Sequence, residues 1–152
     1  MTSILKSAAM LVCALALQAP VLAADHGSQA EAKAMVKKAI EFIKTNGKEK
    51  AYAEINNPKG AFRDRDLYVF VYDMKGVTQA HGNNPKMLGK DLMEMKDADG
   101  VLIVKSFVEV GKTKGSGWVD YKWPNPVSKA VEAKSSYIEK HDDVVVGAGV
   151  YK

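Results

Sequence analysis

Residues 67–72 read LYVFVY, and this stretch predicts the first strand of a sheet. It consists of aromatic, β-branched and aliphatic residues, which favours a β-strand over a helix. Because successive side chains of a strand point to opposite faces, Tyr68, Phe70 and Tyr72 share one face. A turn at residues 73–76 leads into a second strand over residues 77–81, so the two strands predict an antiparallel hairpin.

A long amphipathic helix is predicted ahead of this hairpin. Ser28 and Glu31 have the spacing of a capping box, in which each side chain satisfies a free backbone N–H at a helix start. Apolar residues follow at helical spacing over residues 32–43, and Gly47 ends the pattern. A second, short helix is predicted over residues 51–55.

The segment after the hairpin is predicted to form a helical insert. Residues 82–89 have the composition of a loop, residues 91–95 are predicted as a short helix, and residues 97–100 as a turn. Residues 101–110 are almost continuously apolar, which fits a buried helix or a buried strand, and the spacing of their polar positions favours the helix.

Three further strands complete the chain. They are predicted over residues 117–123, 131–138 and 144–151. The links between them are too short for parallel crossovers, so neighbouring strands must run antiparallel. The order of elements therefore predicts an α+β domain with one five-stranded antiparallel sheet, a long N-terminal helix, and a helical insert between the second and third strands.

The first 23 residues are predicted to be a secretion signal. Lys6 supplies the positive charge, residues 7–19 supply the apolar stretch, and residues 21–23 provide a cleavage site of small or aliphatic residues. The mature chain is then residues 24–152, a single domain large enough for one core. We expect it to lie in the periplasm with no membrane span, unless the signal is retained as an anchor.

The position of the single cysteine and the net charge exclude further classes of function. The single cysteine, Cys13, lies in the predicted signal, so the mature chain has no disulfide, no thiol nucleophile and no thiolate metal ligand. The formal net charge of +4 becomes +3 once Lys6 is removed with the signal. That balance is only mildly basic, and we expect no nucleic-acid partner.

Two fragments imitate known sites, and each lacks a required residue. Residues 111–113 resemble the end of a phosphate-binding loop, but Ser106 stands where the first glycine belongs. Residues 97–100 resemble part of a calcium loop, but Met95 occupies its first ligand position. We expect no metal and no cofactor, and an enzyme is disfavoured because His81 is the only candidate for a general base.

The most unusual passage is residues 117–126, which read GWVDYKWPNP. Strand geometry places Tyr121 and Trp123 on one face and Trp118 on the other. These aromatic residues fit a dry core. They also fit the wall of a pocket, because two strands rich in phenols carry more hydroxyl groups than a dry core easily satisfies.

Five motifs in this order give the chain a family resemblance. They lie at residues 66–73, 80–90, 117–126, 134–137 and 146–151. The chain resembles the single Cache domain of type 2, from about Ala32 to the C-terminus. Domains of that family are extracytoplasmic small-molecule sensors of bacterial chemoreceptors and histidine kinases.

The resemblance implies a PAS-like sheet with a small ligand held between the sheet and the segment after the second strand. Many family members recognise short carboxylates such as acetate, propionate, pyruvate or lactate. Carried over by position, the ligand-binding residues would be Tyr68, Phe70, His81, Tyr121, Trp123 and Lys134. A small anion needs a cation and several neutral donors, which Lys134, His81 and the phenols could supply. Two alternatives stay open: Lys134 as a solvated strand lysine, and His81 as a turn residue bonded to its own backbone.

The sequence is therefore compatible with two functions. The first is a periplasmic binding or sensing module for a small organic acid, which passes its signal or its ligand to a separate membrane receptor, sensor kinase or transporter. The second is a structural or interaction protein whose aromatic residues form a dry core without a ligand.

Overall fold

A computed structural model describes residues 26–152. The predicted secretion signal lies outside the described residues, so its cleavage stays a prediction. The helices are α1 (Gln29–Asn46), α2 (Lys48–Asn56) and α3 (Ile103–Lys114), with a 3₁₀ helix at Pro85–Met87. The strands are β1 (Arg63–Asp64), β2 (Leu67–Asp73), β3 (Thr78–His81), β4 (Ser116–Pro124), β5 (Val131–His141) and β6 (Val144–Tyr151).

Both predicted N-terminal helices form, and local hydrogen bonds fix their ends. The capping box at the start of α1 is present, since Glu31 donates its backbone N–H to Ser28 Oγ and accepts from the Ser28 backbone at 2.7 Å. Gly47 ends the helix at a φ of 81°, a conformation that glycine adopts without the strain of a Cβ atom. The second helix begins at Lys48, slightly earlier than the predicted residue 51.

The sheet is antiparallel, with β3, β2, β6, β5 and β4 lying side by side in that order. All five predicted strands are present, and the α+β, PAS-like architecture is confirmed. A sixth strand that the sequence did not indicate, the two-residue β1, pairs with the start of β2. The order brings the C-terminal strand β6 to the centre of the sheet, between β2 and β5.

The alternation predicted for β2 separates two apolar layers. Val69 and Val71 pack with α1 and α2 on one face of the sheet. Tyr68, Phe70 and Tyr72 face the opposite side, where they pack against α3. The helical insert is thus confirmed for α3, and the layer between α3 and the sheet contains the aromatic residues that the sequence singled out.

The short helix predicted over residues 91–95 is wrong. This segment is extended where it meets the hairpin: Asp91 forms an isolated bridge with Val77, and Leu92 donates its N–H to Gly76 O at 3.0 Å. Two of its residues bond the backbone of the hairpin, and Met93 N–H bonds the Asp91 side chain, so the segment forms a bridge and a turn in place of a helix.

A buried carboxylate ties the chain before α1 to the start of β2. Asp66 is fully buried. It accepts a hydrogen bond from the backbone N–H of Gly27 at 2.7 Å and lies 3.0 Å from His26 Nδ1. A charge-assisted bond of this kind is stronger than a neutral one, so the segment leading into α1 is fixed to the sheet.

Candidate functional site

Five of the six residues expected at a site line one pocket between the sheet and α3. They are Tyr68, Phe70, His81, Tyr121 and Trp123. The free volume between them is about 10 Å³, which is room for roughly one water molecule. The pocket is therefore closed around its own side chains in this structure.

The pocket lies here because β6 carries glycines where the side chains of Phe70 on β2 and Lys134 on β5 reach over it. A Cβ atom on Gly147 would lie 2.3 Å from the ring of Phe70, and one on Gly149 would lie 2.9 Å from Lys134 Cε. Side chains from β2 and β5 thus fold over the central strand from both sides. Phe107 of α3 covers them, stacked on Phe70 with ring centroids 5.2 Å apart.

Lys134 is the sixth expected residue, and it is buried, with 1% of its surface exposed. The alternative of a solvated strand lysine is therefore wrong. Its Nζ atom lies 3.9 Å from the centre of the Tyr68 ring and 4.6 Å from that of Tyr151. It also donates a hydrogen bond to Tyr151 Oη at 3.3 Å. Lys134 thus adjoins the pocket through the Tyr68 ring, although it does not line the pocket itself.

Within residues 26–152, Lys134 has no ion pair with a carboxylate. Burial holds the pKa of its ammonium well below the ordinary value, and the more distant charge of Asp66 opposes that shift only in part. A buried charge without a counter-ion is costly. The site therefore favours any ligand that supplies a negative charge.

The phenol hydroxyls around this lysine form a short internal network. Tyr151 donates to the carbonyl oxygen of Pro124 at 2.8 Å, and Tyr121 Oη lies 2.8 Å from Ser136 Oγ. Burial raises the pKa of Tyr121 well above its ordinary value, as it does for Tyr68. These hydroxyls stay protonated at neutral pH and can act as neutral donors.

His81 lines the pocket and also bonds its local backbone, so the interpretation as a backbone-bonded turn residue is confirmed, and its ligand-binding role stays a prediction. Its Nδ1 accepts hydrogen bonds from the backbone N–H groups of Asn84 at 3.0 Å and Asn83 at 3.3 Å. Burial, and after it the positive charge of Lys134, lowers the pKa of His81 to about 3. The imidazole is therefore neutral at physiological pH.

Sequence reasoning missed several residues of the same layer. Tyr72, Met95, Ile103 and Phe107 also line the pocket. The alternation that places Tyr68 on this face also places Tyr72 there, so strand geometry could have predicted Tyr72 as a pocket residue. Met95 and Ile103 belong to the insert, whose path over the sheet no local pattern in the sequence defines.

Trp118 does not take part in the site. It lies on the opposite face of β4 from Tyr121, as strand geometry predicts, and 38% of its surface is exposed. Its ring packs against Tyr137 with centroids 5.5 Å apart. Of the two tryptophans, only Trp123 belongs to the pocket.

The comparison with protein families decides what kind of domain this is. The model of the family described as "Single Cache domain 2" matches residues 14–152. The chain belongs to this family. Single Cache domains are periplasmic sensor domains of chemotaxis receptors and sensor kinases, and they bind ligands without catalysing a reaction. None of the helices that the structure describes is long and apolar enough to span a membrane.

Solved structures support the assignment. The chain is similar to a methyl-accepting chemotaxis protein from Vibrio parahaemolyticus, with a TM-score of 0.70 and 26% identity over 80% of this chain and 86% of that one. It is also similar to a Cache chemosensory domain whose structure is described as the basis of carboxylic acid recognition. That comparison has a TM-score of 0.68 and 28% identity, and covers 80% of this chain and 91% of the other.

Two longer proteins are related in sequence. The methyl-accepting chemotaxis protein McpP of Pseudomonas putida is 33% identical over 90 residues, which is 58% of this chain and 16% of that protein. The sensor histidine kinase MctS of Rhizobium johnstonii is 32% identical over 89 residues, which is 57% of this chain and 19% of that protein. The chain thus spans less than a fifth of the length of these relatives.

Proposed function

We propose that this Cache domain binds a short monocarboxylate, of the size of acetate, propionate, pyruvate or lactate. The observation that carries the proposal is the buried ammonium of Lys134, which has no carboxylate partner in residues 26–152. A ligand carboxylate beside Lys134 would supply the missing counter-charge. The solved Cache domain described as recognising carboxylic acids supports the same ligand class.

The surrounding groups fit a small anion with an apolar remainder. The hydroxyls of Tyr68 and Tyr121 are neutral groups that can donate to a ligand carboxylate, and charge-assisted hydrogen bonds from such donors are the stronger kind, whereas the Tyr151 hydroxyl already donates to Pro124 O. Phe70 and Phe107 provide an apolar wall. Pockets with mostly apolar walls and a few convergent polar groups are typical binding sites for small molecules.

The size of such a ligand limits its affinity. At a ceiling of about 1.5 kcal/mol per heavy atom, a six-atom acid gains at most roughly 9 kcal/mol, which corresponds to a Kd near the micromolar range or weaker. A ligand of this size also exceeds the free volume of the closed pocket. Binding therefore requires the half-buried residues Met95 and Trp123 at the pocket wall to move outward.

The proposal also covers the processing, the cellular location and the partner of the domain. Residues 1–23 would act as a cleaved secretion signal, residues 24–152 would fold in the periplasm, and the ligand or the signal would pass to a separate membrane receptor, sensor kinase or transporter. Support for this setting comes from the family, whose members are periplasmic sensor domains. Processing by signal peptidase, read from the N-terminal mass of the secreted protein, tests the first step.

One observation favours the alternative of a dry aromatic core without a ligand. The pocket contains little free space, and Phe107 meets Tyr121 edge to face at 5.4 Å as well as stacking on Phe70. Such contacts also stabilise a core that binds nothing. The two functions differ in their response to carboxylates.

A thermal-shift series followed by calorimetry separates the two functions. At ligand concentrations of 100 times Kd, a binder is stabilised by about 2.7 kcal/mol, so millimolar acetate, propionate, pyruvate or lactate should raise the Tm measurably. Lys134→Met should abolish the effect. Lys140→Met, at an exposed lysine of the same strand, should retain it. Failure of every acid, or an unchanged Kd in Lys134→Met, contradicts the proposal.

A further inference from the structure

Met95 and Trp123 form the outer wall of the pocket between the sheet and α3. The other seven described residues that line the pocket are buried, whereas these two are partly exposed. Buried side chains of a close-packed interior have little space into which they can move. A ligand that fills this pocket therefore displaces mainly the outer wall.

Trp123 is the less movable of the two side chains. Its indole packs edge to face against Tyr121, with ring centroids 6.3 Å apart. Tyr121 in turn meets Phe107 edge to face at 5.4 Å and bonds Ser136 through its hydroxyl. Aromatic pairs in this arrangement are stabilising beyond the area that they bury, and a rigid ring must rotate as a whole. Most of the displacement therefore falls to Met95.

The backbone of Met95 is fixed, so its side chain has to make the space. The Met95 N–H donates to Leu92 O at 3.0 Å, and the Met95 carbonyl oxygen accepts from the Ile103 N–H at 3.1 Å. Asp97, two residues further along, accepts from the backbone N–H of Lys122 at 2.8 Å, which ties the insert to β4. A methionine side chain is unbranched and flexible, and it adapts to gaps of different shape. How far this side chain can fold aside therefore limits the size of the ligand.

We propose that Met95 is a specificity-determining residue that sets the upper limit on the chain length of the acid. This inference rests on the proposed function and narrows it. The hydrocarbon chain of the ligand lies among the apolar side chains of the pocket, and each buried methylene raises the affinity about fourfold. The gain ends where Met95 has no further space to fold aside, because a tightly packed site resists additional methylenes. Affinity should therefore reach a maximum at a short acid.

Calorimetry with unbranched acids from acetate to hexanoate tests the limit on the unaltered chain. Affinity should be highest at propionate or butyrate and should fall with each further carbon. Met95→Ala leaves a gap of roughly three heavy atoms, so its maximum should move to acids about two or three carbons longer. The ratio of the hexanoate affinity to the propionate affinity should rise by about 60-fold. An affinity of the unaltered chain that still increases up to hexanoate would overturn the inference.

Two further variants assign the limit to Met95. Met95→Val leaves a smaller gap and more of the packing, so its maximum should move by about one carbon, and it decides the question if Met95→Ala does not fold. Met93→Ala is the matched control, because Met93 lies on the same segment, against Gly76, and outside the pocket lining. It should keep the maximum of the unaltered chain.

The outcomes separate a failure of this inference from a failure of the proposed function. A maximum that stays at the same acid in the folded Met95 variants, or that moves equally in Met93→Ala, would overturn the inference and leave the carboxylate proposal intact. Binding of no acid by the unaltered chain refutes the proposed function itself.

Discussion

Replacing Lys134 by Met should make the ligand-free domain more stable while removing its ability to bind acids. Methionine has nearly the same length and an unbranched chain, so it fills the space of the lysine stem over Gly149. Tyr151 keeps its hydrogen bond to Pro124 O, so the substitution leaves no phenol unpaired. The change therefore removes a buried charge and creates neither a cavity nor an orphaned polar group.

The change in the free energy of unfolding is the difference between two opposing contributions. The desolvation cost of a buried ammonium is several kcal/mol, and no carboxylate of residues 26–152 pairs with it to offset that cost. Against it stand the contact with the Tyr68 ring, worth about 2 kcal/mol when desolvated, and a hydrogen bond to Tyr151 of 3.3 Å. We expect a net gain of about 1–2 kcal/mol, or a rise in Tm of roughly 3–8 °C for a domain of this size.

Urea unfolding followed by tryptophan fluorescence measures the stability, and calorimetry with lactate measures the binding. Lys140→Met should change the free energy of unfolding by less than about 0.5 kcal/mol, as expected for an exposed site. A loss of more than about 1 kcal/mol in Lys134→Met, with the control unchanged, would show that the aromatic contacts outweigh desolvation. The argument that the pocket is strained by an unpaired charge would then be refuted.

Three further predictions concern protons and packing. Because burial lowers the pKa of Lys134 in the free protein and a bound anion raises it again, binding should take up protons at pH values between the free and the bound pKa. The uptake is measured as a calorimetric enthalpy that depends on buffer ionisation, and affinity should fall as pH rises; proton-independent binding contradicts this. The folded-state pKa of His81 is about 3, below its unfolded value of 6.5, so stability should fall as pH drops from 6.5 toward 3. Urea unfolding at pH 7 and pH 5 should therefore show an extra loss of about 1–2 kcal/mol relative to His81→Asn. Gly147→Ala should destabilise the domain by about 1–3 kcal/mol and weaken acid binding, because its Cβ would lie 2.3 Å from the Phe70 ring and push that ring into the pocket; wild-type stability and affinity would exclude this.

Alternation within strands made most of the fold predictable. The pattern of residues 67–72 gave both the strand and its two faces, and the structure buries the valines against α1 and the aromatic residues against α3. The start of α1 was equally predictable, since Ser28 and Glu31 satisfy local backbone groups whose partners lie three residues away. Such elements are predictable because the interactions that stabilise them join residues close together in the sequence.

The insert was less predictable because its partners are remote. Residues 91–95 have a composition compatible with a helix, but their backbone bonds go to the hairpin around Gly76 and Val77. The two-residue strand β1 is too short to have a pattern of its own, and it forms because β2 offers it a free edge. Both outcomes depend on tertiary contacts that no window of sequence contains.

The site was predictable by residue type but not in its electrostatics. Position-by-position resemblance put Lys134 near Tyr68, and the structure brings them into contact. It did not indicate Tyr151 as the hydrogen-bond partner of Lys134, because the central position of β6 follows from the sheet order.

The carboxylate of Asp66 joins the segment before α1 to the start of β2, beside the ion pair between Arg65 and Glu31. It is fully buried, fixes Gly27 ahead of α1, and lies two residues before the pocket residue Tyr68 on the same strand entry. One residue separates Asp66 from Tyr68, so the ligand pocket and the start of α1 are joined through a single short stretch of backbone, although they pack on opposite faces of the sheet.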